Sequence, residues 1–304
     1  MSSADTKPHS RTLASVLACL LAASLASAAP AFGAPSVAVF RVQRLCEANR
    51  PGAASCEGVR LIARSLSSSE LRSSAARQAR EASAGARPAV TNKTPPGGGL
   101  GPEELHAAYA LPDETFPSAT QTVAVVDAYN DPTAEADLAV YDKYYGLPAC
   151  TKANGCFTKV NESGKASPLP KTQGEWAVEE SLDLDMAHSI CQSCHILLVE
   201  AADEEFEALG TAVDTAVKMG ATEISNSYGG GEGSFVTSAS AAYDHPGIVI
   251  TASSGDCGYA DEACGSAAAN FPADSPDVVA VGGTHLTRSG EAWSSTVWED
   301  AGSP

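Results

Sequence analysis

Two carboxylates spaced four residues apart are the first feature that could do chemistry. Glu179 and Asp183 lie in the segment EWAVEESLDLDMAH, and residues with this spacing share one face of a helix. Two neighbouring carboxylates at the edge of a core cannot both ionise cheaply, so one is expected to hold a proton and to serve as a general acid or base. The alternative is an exposed acidic helix face, since acids are plentiful throughout this segment.

Further candidates lie where apolar runs end. Asp127 stands near the end of the run TVAVVDAY (122–129), Tyr228 near the end of TEISNSYG (222–229), and Asp256 in the loop ASSGDCG (252–258). An aspartate at such a place can act on a substrate, although its commoner role is to accept hydrogen bonds from the amides of a turn.

The segment CQSCH, formed by Cys191 to His195, spells a haem-attachment motif and also contains a C-x-x-C pair. No neighbouring methionine or histidine is identifiable as a second haem ligand, and no matching second ligand pair supports a zinc site. A local Cys191–Cys194 disulfide between a helix and a strand is the interpretation that the context favours, and no metal site is predicted.

The elements that must position these residues follow a regular alternation. Strands are expected at 122–129, 195–201, 222–229, 247–255 and 278–283. Helices are expected at about 133–145, 174–190, 204–219 and 234–244, with a loop at 146–172. The pattern predicts an α/β fold with a parallel sheet flanked by helices. Because chemistry gathers at the carboxyl ends of parallel strands, the candidate residues are expected at one edge of this sheet.

The helix at 174–190 has a second pattern, which concerns its core-facing side. Apolar residues recur every four positions along it, at Val178, Leu182, Met186 and Ile190. This repeat predicts that these four residues form the buried stripe, with the two acids one helical step away.

Four motifs together resemble the sedolisins, the serine-carboxyl peptidases with a subtilisin-like fold. The family's E-x-x-L-D is similar to residues 179–183, and its S-G-D-x-G to residues 254–258. NFPADSPDVVAVGGT (270–284) looks like the family's F-P-A-x-S-P-x-V-x-x-V-G-G-T, and GPEELHAAYALP (101–112) resembles the segment before its first strand. The likeness covers about residues 99–304.

The resemblance assigns roles to the candidate residues. Glu179 would be the general base, Asp183 its orienting partner, Asp256 the donor to the oxyanion, and Asp127 an extension of the proton network. SNSYGG (225–230) resembles the strand of subtilisins that binds substrate through its backbone, and this implies substrate contacts at Ser227, Tyr228 and Gly229. The implied substrates are proteins or peptides.

The chain departs from the family pattern in its last part. The nucleophile motif G-T-S-x-x-x-P does not occur, and Gly283-Thr284 is followed by His285. We therefore expect either a fragment, truncated before the nucleophile, or a pseudoenzyme that forms no acyl-enzyme. The family's calcium site would also lie beyond residue 304, so no cofactor is expected in these residues. The segment expected as a propiece, residues 29–98, is shorter than the family's usual folded prodomain.

The N-terminal region predicts export. Lys7 and Arg11 precede an apolar run that ends at Ala-Ser-Ala (26–28), which is typical of a secretory signal. We expect a signal peptide at 1–28, a basic propiece or linker at 29–98 with a short helix near 70–84, and a peptidase domain at 99–304. In an oxidising compartment the eight later cysteines favour disulfides, most simply between neighbours: Cys46 with Cys56, Cys150 with Cys156, Cys191 with Cys194, and Cys257 with Cys264.

Charge is strongly divided along the chain. Residues 1–98 carry a net charge of +7 and residues 99–304 a net charge of −25, which together give the total of −18. The strong negative charge of residues 99–304 argues against nucleic-acid or membrane partners. It suits a secreted protein that works in acid, and we expect a monomer. Two alternatives stay open. One is a subtilisin with Asp127 as triad acid and His188 as its histidine, and the other is a non-catalytic binding module on the same fold.

Overall fold

The structure, a computed structural model, describes residues 39–46, 52–56, 58–64, 95, 99–111, 121–256 and 270–298. All of these belong to one compact unit that spans residues 38–304. The expected signal peptide and the helix expected near residues 70–84 lie outside the described residues. Within the described ranges, no helix has the length and apolar character needed to cross a bilayer.

A six-stranded parallel sheet forms the centre of the molecule. Its strands are β4 (Thr122–Ala128), β5 (Phe157–Asn161), β6 (His195–Ala201), β7 (Glu223–Asn226), β9 (Val249–Ser253) and β11 (Val279–Val281). Their order is β11-β9-β7-β4-β6-β5, and every neighbouring pair is parallel. The predicted α/β fold with a parallel sheet flanked by helices is confirmed.

The helices cover both faces of this sheet. They are α1 (Pro102–Tyr109), α2 (Ala134–Tyr145), α3 (Gly174–Ile190), α4 (Phe206–Lys218) and α5 (Val236–Ala239), with a 3-10 turn at Ser240–Tyr243. Val126 of β4 packs in the hydrophobic layer that contains Leu209 of α4. Its neighbour Val125 packs in the other layer, with Leu138 of α2 and Leu184 of α3. Successive residues of a strand point to opposite faces, so each central strand has to be apolar throughout.

A smaller sheet lies beside the carboxyl end of β7. Its central strand is β8 (Tyr228–Gly231), which pairs antiparallel with β2 (Ser55–Cys56) on one side and β10 (Asn270–Phe271) on the other. The remaining strands of the described residues form two separate antiparallel pairs. These are β1 (Val39–Arg44) with β3 (Val59–Arg64), and β12 (Thr284–Ser289) with β13 (Ala292–Val297). Part of the expected propiece therefore forms ordered strands.

Most predicted boundaries agree with the structure, and the disagreements have physical causes. The strand predicted at 222–229 is two strands, because β7 pairs within the central sheet while β8 turns away from it after Ser227. The loop predicted at 146–172 contains β5, which buries Phe157 and Val160 against the sheet. The helix predicted at 234–244 is only one short helix and a 3-10 turn.

Three disulfides join neighbouring cysteines: Cys46–Cys56, Cys150–Cys156 and Cys191–Cys194. These pairs are the ones that the sequence predicted. The fourth pair stays a prediction, because Cys257 and Cys264 both lie outside the described residues.

Candidate active site

The α3 helix carries the predicted catalytic acids, and it buries a different face from the one expected. Leu182 and Ile190 are exposed, at 41% and 38% of their surface. The residues that α3 buries are Trp176, Glu179, Glu180, Leu184, His188 and Ser189. The predicted apolar stripe was wrong for these two residues, although Val178 packs against the core, because a four-residue repeat drifts by about 40° per step on a helix of 3.6 residues per turn. Glu179 is instead only 1% exposed.

Both ends of α3 are fixed locally. The Gln173 side chain accepts hydrogen bonds from the backbone amides of Glu175 and Trp176, which satisfies two amides of the first turn. At the other end the Cys191 amide donates to the Ala187 carbonyl, and the disulfide to Cys194 leads directly into β6. These contacts fix the position of α3, and so of its acids, relative to β6.

Three carboxyl groups, which we call the cleft carboxyls, come together at the strand ends: Asp127, Glu179 and Asp183. Asp127 is fully buried near the end of β4. Burial raises its pKa well above the usual value, and the charges of Asp183, Glu180, Glu179 and Glu200 raise it further. Burial also raises the pKa of Asp183 to about 7, although a hydrogen bond from the Ser227 hydroxyl opposes this rise. Asp127 and Asp183 therefore hold protons at a pH where ordinary aspartates are ionised.

A second group of acids lies beside the first and contains a cation. Lys159 Nζ lies 2.6 Å from Glu200 Oε1 and 2.7 Å from Asn130 Oδ1. The Asp131 amide donates to the same Glu200 oxygen at 2.9 Å. Burial raises the pKa of Glu180 to about 10, with the charge of Glu200 and their hydrogen bond as the next causes. Lys159 contacts Glu200 and not Glu180, and we call these three residues the lysine-side group.

Sequence reasoning missed this second group. In the sequence, Glu180 resembles the other acids of its helix, and Glu200 lies within the apolar run expected as the strand at 195–201. The position of Glu200 could have indicated this group, because a glutamate within a buried parallel strand needs a cation or a proton to neutralise it. Lys159 lies on β5, the strand that was predicted as loop.

Asp256 lies at the same edge of the sheet as the cleft carboxyls. It follows the end of β9 by three residues, after Gly255 at φ 105°. Ala252 of β9 is in register with Asn226 of β7, and Ser225 is in register with Val125 of β4. The three strands therefore end at the same level, and Asp256 is half-buried just beyond them.

The three predicted substrate-binding residues have different surroundings. The Ser227 hydroxyl bonds to Asp183, as described above. The Tyr228 side chain is fully buried, and its hydroxyl donates to Asn226 Oδ1 at 2.8 Å and lies 3.0 Å from the Tyr243 hydroxyl. Gly229 has no room for a side chain, since a Cβ there would lie 2.3 Å from the side-chain Nδ2 of Asn270. Only backbone groups of Tyr228 and Gly229 can therefore meet a ligand.

The histidine of the alternative subtilisin triad lies in another environment. His188 is fully buried, and its Nδ1 lies 2.7 Å from Asp142 Oδ1. The second oxygen of Asp142 accepts a hydrogen bond from the Cys150 amide. His188 therefore pairs with a helix residue of α2 and not with Asp127.

The CQSCH segment has no thiolate to offer a metal or haem. Cys191 and Cys194 are bonded to each other, and His195 Nδ1 lies 2.9 Å from the Gly155 carbonyl oxygen. Because both sulfur atoms are oxidised, the segment is a structural connection between α3 and β6.

The chain is similar to several solved structures of proteases. One is a cold-adapted subtilisin-like serine proteinase, with 13% identity and a TM-score of 0.34, covering 56% of this chain and 57% of that chain. The nisin leader peptidase NisP from Lactococcus lactis has 15% identity and a TM-score of 0.33, with 58% of each chain covered. Fervidolysin from Fervidobacterium pennivorans, a keratinolytic enzyme related to subtilisin, has 19% identity and a TM-score of 0.32, with 60% and 27% covered.

These similarities leave much of each protein unmatched. The chain spans between about a quarter and three fifths of the length of these solved chains. No protein-family model matches the chain, and no curated protein matches it.

Proposed function

We propose that this chain carries the carboxyl machinery of a secreted serine-carboxyl peptidase that works in acid, as in the sedolisins it resembles. The observation that carries the proposal is the cluster of Asp127, Glu179 and Asp183, buried together at the carboxyl edge of a parallel sheet beside β8. Asp127 and Asp183, whose pKa values are raised by burial, are suited to proton transfer in acid beside Glu179.

In the proposed reaction Glu179 takes the proton of a serine hydroxyl as that oxygen attacks the peptide carbonyl. The same proton then passes to the leaving amine, and water hydrolyses the acyl-enzyme. Asp183 keeps its proton in acid and can orient Glu179 as a hydrogen-bond donor. Asp256, protonated in acid, would donate to the oxyanion, an interaction that is worth about 3 kcal/mol in other hydrolases. The resemblance places the serine beyond residue 304.

Peptides are the proposed substrates, since β8 holds an extended strand, β2, by antiparallel backbone pairing. The same feature supports a second candidate function, a peptide-binding module that does no chemistry. Such a module would need the backbone of β8 to bind peptides and would not need Asp127, Glu179 or Asp183.

The test compares wild type with Glu179→Gln in the product of the complete reading frame. Peptide hydrolysis at about pH 4 is expected to fall by a factor between about 100 and 10,000, because the glutamine side chain cannot accept the serine proton. Glu175→Gln, an exposed change in the first turn of the same helix, is the matched control and should keep full activity. Hydrolysis that survives Glu179→Gln unchanged contradicts the assignment, and peptide binding without hydrolysis in wild type favours the binding module.

A further inference from the structure

The loop between α2 and β5 brings two cysteines to a buried histidine of α3. Cys150 and Cys156 stand at the two ends of this loop, and their sulfur atoms and a ring nitrogen of His188 all lie within 4.8 Å of one another. Cys150 and His188 are fully buried, and Cys156 is half-buried. The two sulfur atoms form a disulfide here, so in this state they are not ligands.

The histidine is oriented by a carboxylate of α2. His188 Nδ1 lies 2.7 Å from Asp142 Oδ1. An ionised carboxylate can only accept a hydrogen bond, so Nδ1 carries the proton and Nε2 keeps its lone pair. A hydrogen bond from one ring nitrogen to a carboxylate is the arrangement that fixes the ring of metal-binding histidines.

The other ring nitrogen of His188 has no such contact. Nε2 is buried and has no hydrogen-bond partner within the part of the chain that the structure describes. A buried polar atom without a partner costs free energy, and such atoms are uncommon in folded proteins. Nε2 is therefore the atom of this ring that is available to a metal.

Hydrogen bonds hold both cysteines in place independently of their disulfide. The Cys150 amide donates to the second oxygen of Asp142 at 3.1 Å. The Cys156 carbonyl accepts from the Ile196 amide of β6 at 2.8 Å, and the Cys156 amide donates to Asn154 Oδ1 at 3.0 Å. Opening the disulfide therefore leaves both side chains beside His188.

Two thiolates and one imidazole are a ligand set that suits Zn²⁺. With Zn–S and Zn–N bonds of about 2.3 Å and 2.0 Å, the ligand atoms of a tetrahedral site lie about 3.5 to 3.8 Å apart. The present limit of 4.8 Å is close to this spacing, once the reduced sulfur atoms separate. The two thiolates also balance the charge of the metal, so the set buries no net charge.

We propose that Cys150, Cys156 and His188 bind Zn²⁺ when a thiol reductant opens the disulfide, with Asp142 orienting the histidine. Two thiols of the reductant become a disulfide, and their two electrons and two protons convert the cysteine pair into two thiols. Binding of Zn²⁺ releases these two protons to water. The fourth position of the metal is open to water. The metal then joins the loop to α3, so one cross-link takes the place of another, whether or not the chain is a peptidase.

The test measures Zn²⁺ binding to the full chain at pH 7 by competition with a chromophoric chelator. The chain is reduced with a phosphine, which is then removed under argon. Reduced wild type should bind Zn²⁺ at least 100-fold more tightly than oxidised wild type, because only thiolates are ligands. Co²⁺ in place of Zn²⁺ should show thiolate-to-cobalt charge-transfer absorption and the spectrum of a tetrahedral site.

Three variants locate the ligands. In the reduced state Cys150→Ser with Cys156→Ser should bind as weakly as oxidised wild type. His188→Asn keeps an amide that can donate to Asp142 and lacks Nε2, and it should lose at least tenfold in affinity. Asp142→Asn should lose about 10- to 100-fold, as expected for a residue that orients a metal ligand.

The matched control is Cys191→Ser with Cys194→Ser. This pair removes the neighbouring disulfide, whose cysteines pack in the same hydrophobic layer as Cys150. After reduction its affinity for Zn²⁺ should equal that of wild type. A loss as large as that in the double variant of Cys150 and Cys156 would place the metal on the CQSCH segment and overturn the proposal.

Alkylation of reduced wild type provides a second measurement that needs no variant to fold. Zn²⁺ should protect Cys150 and Cys156 from iodoacetamide and leave Cys191 and Cys194 reactive, as read by mass spectrometry of the digested chain. Equal reactivity of Cys150 and Cys156 with and without Zn²⁺ overturns the proposal. Loss of the native circular dichroism on reduction also overturns it, because the site requires a loop that keeps its place without the disulfide.

Discussion

Two groups of buried acids lie side by side in this protein and are neutralised in different ways. In the lysine-side group Glu200 is paired with the cation of Lys159, which is itself 7% exposed and also bonded to Asn130, while burial raises the pKa of its neighbour Glu180 to about 10. In the part of the chain that the structure describes, no ion pair joins a lysine or arginine to Asp127 or Asp183. Asp127 and Asp183 are neutralised by protons alone.

The difference separates a carboxylate fixed by a cation from carboxyls that can exchange a proton. A carboxylate bonded to a buried lysine is fixed in charge and position, so it holds β5, β6 and the turn after β4 together. A carboxyl that holds a proton can release it and take it back during a reaction. The group without a cation is also the group that lies beside β8, where a peptide would bind.

The largest expected effect comes from removing the cation. Lys159→Met leaves Glu200 buried without its partner, and the free energy of unfolding at pH 7 should fall by about 3 to 5 kcal/mol. The loss should be smaller at about pH 4, because Glu200 can then take up a proton. Urea denaturation at both values of pH measures the difference.

The control for this change is Lys152→Met, which removes an exposed ion pair to Glu135 with an N–O distance of 3.7 Å. Its cost should stay below about 1 kcal/mol. Equal costs for the two lysine variants would remove the distinction between the two groups of acids.

A smaller effect is expected at the cleft carboxyls, and it has a defined pH dependence. The pKa of Asp183 is raised from 3.8 to about 7 in the folded protein. The folded state therefore holds a proton that the unfolded chain releases, so this stabilisation is complete below about pH 4 and is lost as the pH rises to 7. Asp183→Asn, which mimics the protonated acid, should be more stable than wild type at pH 7, by up to about 4 kcal/mol for a shift of this size, and nearly equal to it at pH 4.

Thermal unfolding of wild type and Asp183→Asn across this pH range tests the prediction. Asp277→Asn changes an exposed acid and should give the wild-type pH profile. Parallel profiles for wild type and Asp183→Asn would mean that folding does not raise the pKa of Asp183.

The smallest expected effect concerns the hydroxyl that bonds to Asp183. Ser227→Ala removes a hydrogen bond that lowers the pKa of this carboxyl, so the pKa should rise further, by about one unit. Carboxyl titration followed by NMR measures the shift directly. Ser238→Ala, where an exposed hydroxyl donates to the Phe235 carbonyl, should leave the titration unchanged. A fall in the Asp183 pKa would contradict this account of the contact.

Much of the scaffold could be predicted from the sequence because its patterns are local. The helix at 174–190 and the strand at 195–201 have the predicted bounds, since a continuous apolar run and a capped helix are set by neighbouring residues. The placement of Asp127 and Asp256 at one edge followed from the rule that parallel strands end together. The three described disulfides also join near neighbours, as predicted, while the pairing of Cys257 with Cys264 stays a prediction.

The failures concern contacts between distant residues. The buried face of α3 was wrong because burial there follows polar partners on other elements, such as Asp142 for His188. The pairing of Ser55 with Gly229 joins residues 174 positions apart, and no local pattern in either segment indicates it.

The sequence by itself determined the three described disulfide pairs of neighbouring cysteines, the helix at 174–190 and the central strands other than β5, with Asp127 near the end of one of them. Backbone geometry sets these features within a few residues. Only the tertiary structure decided that Glu200 has a cation while Asp127 and Asp183 depend on protons, and that the chain's own Gly58 lies over Glu179. Desolvation and close packing decide such matters, and both depend on which distant segments meet.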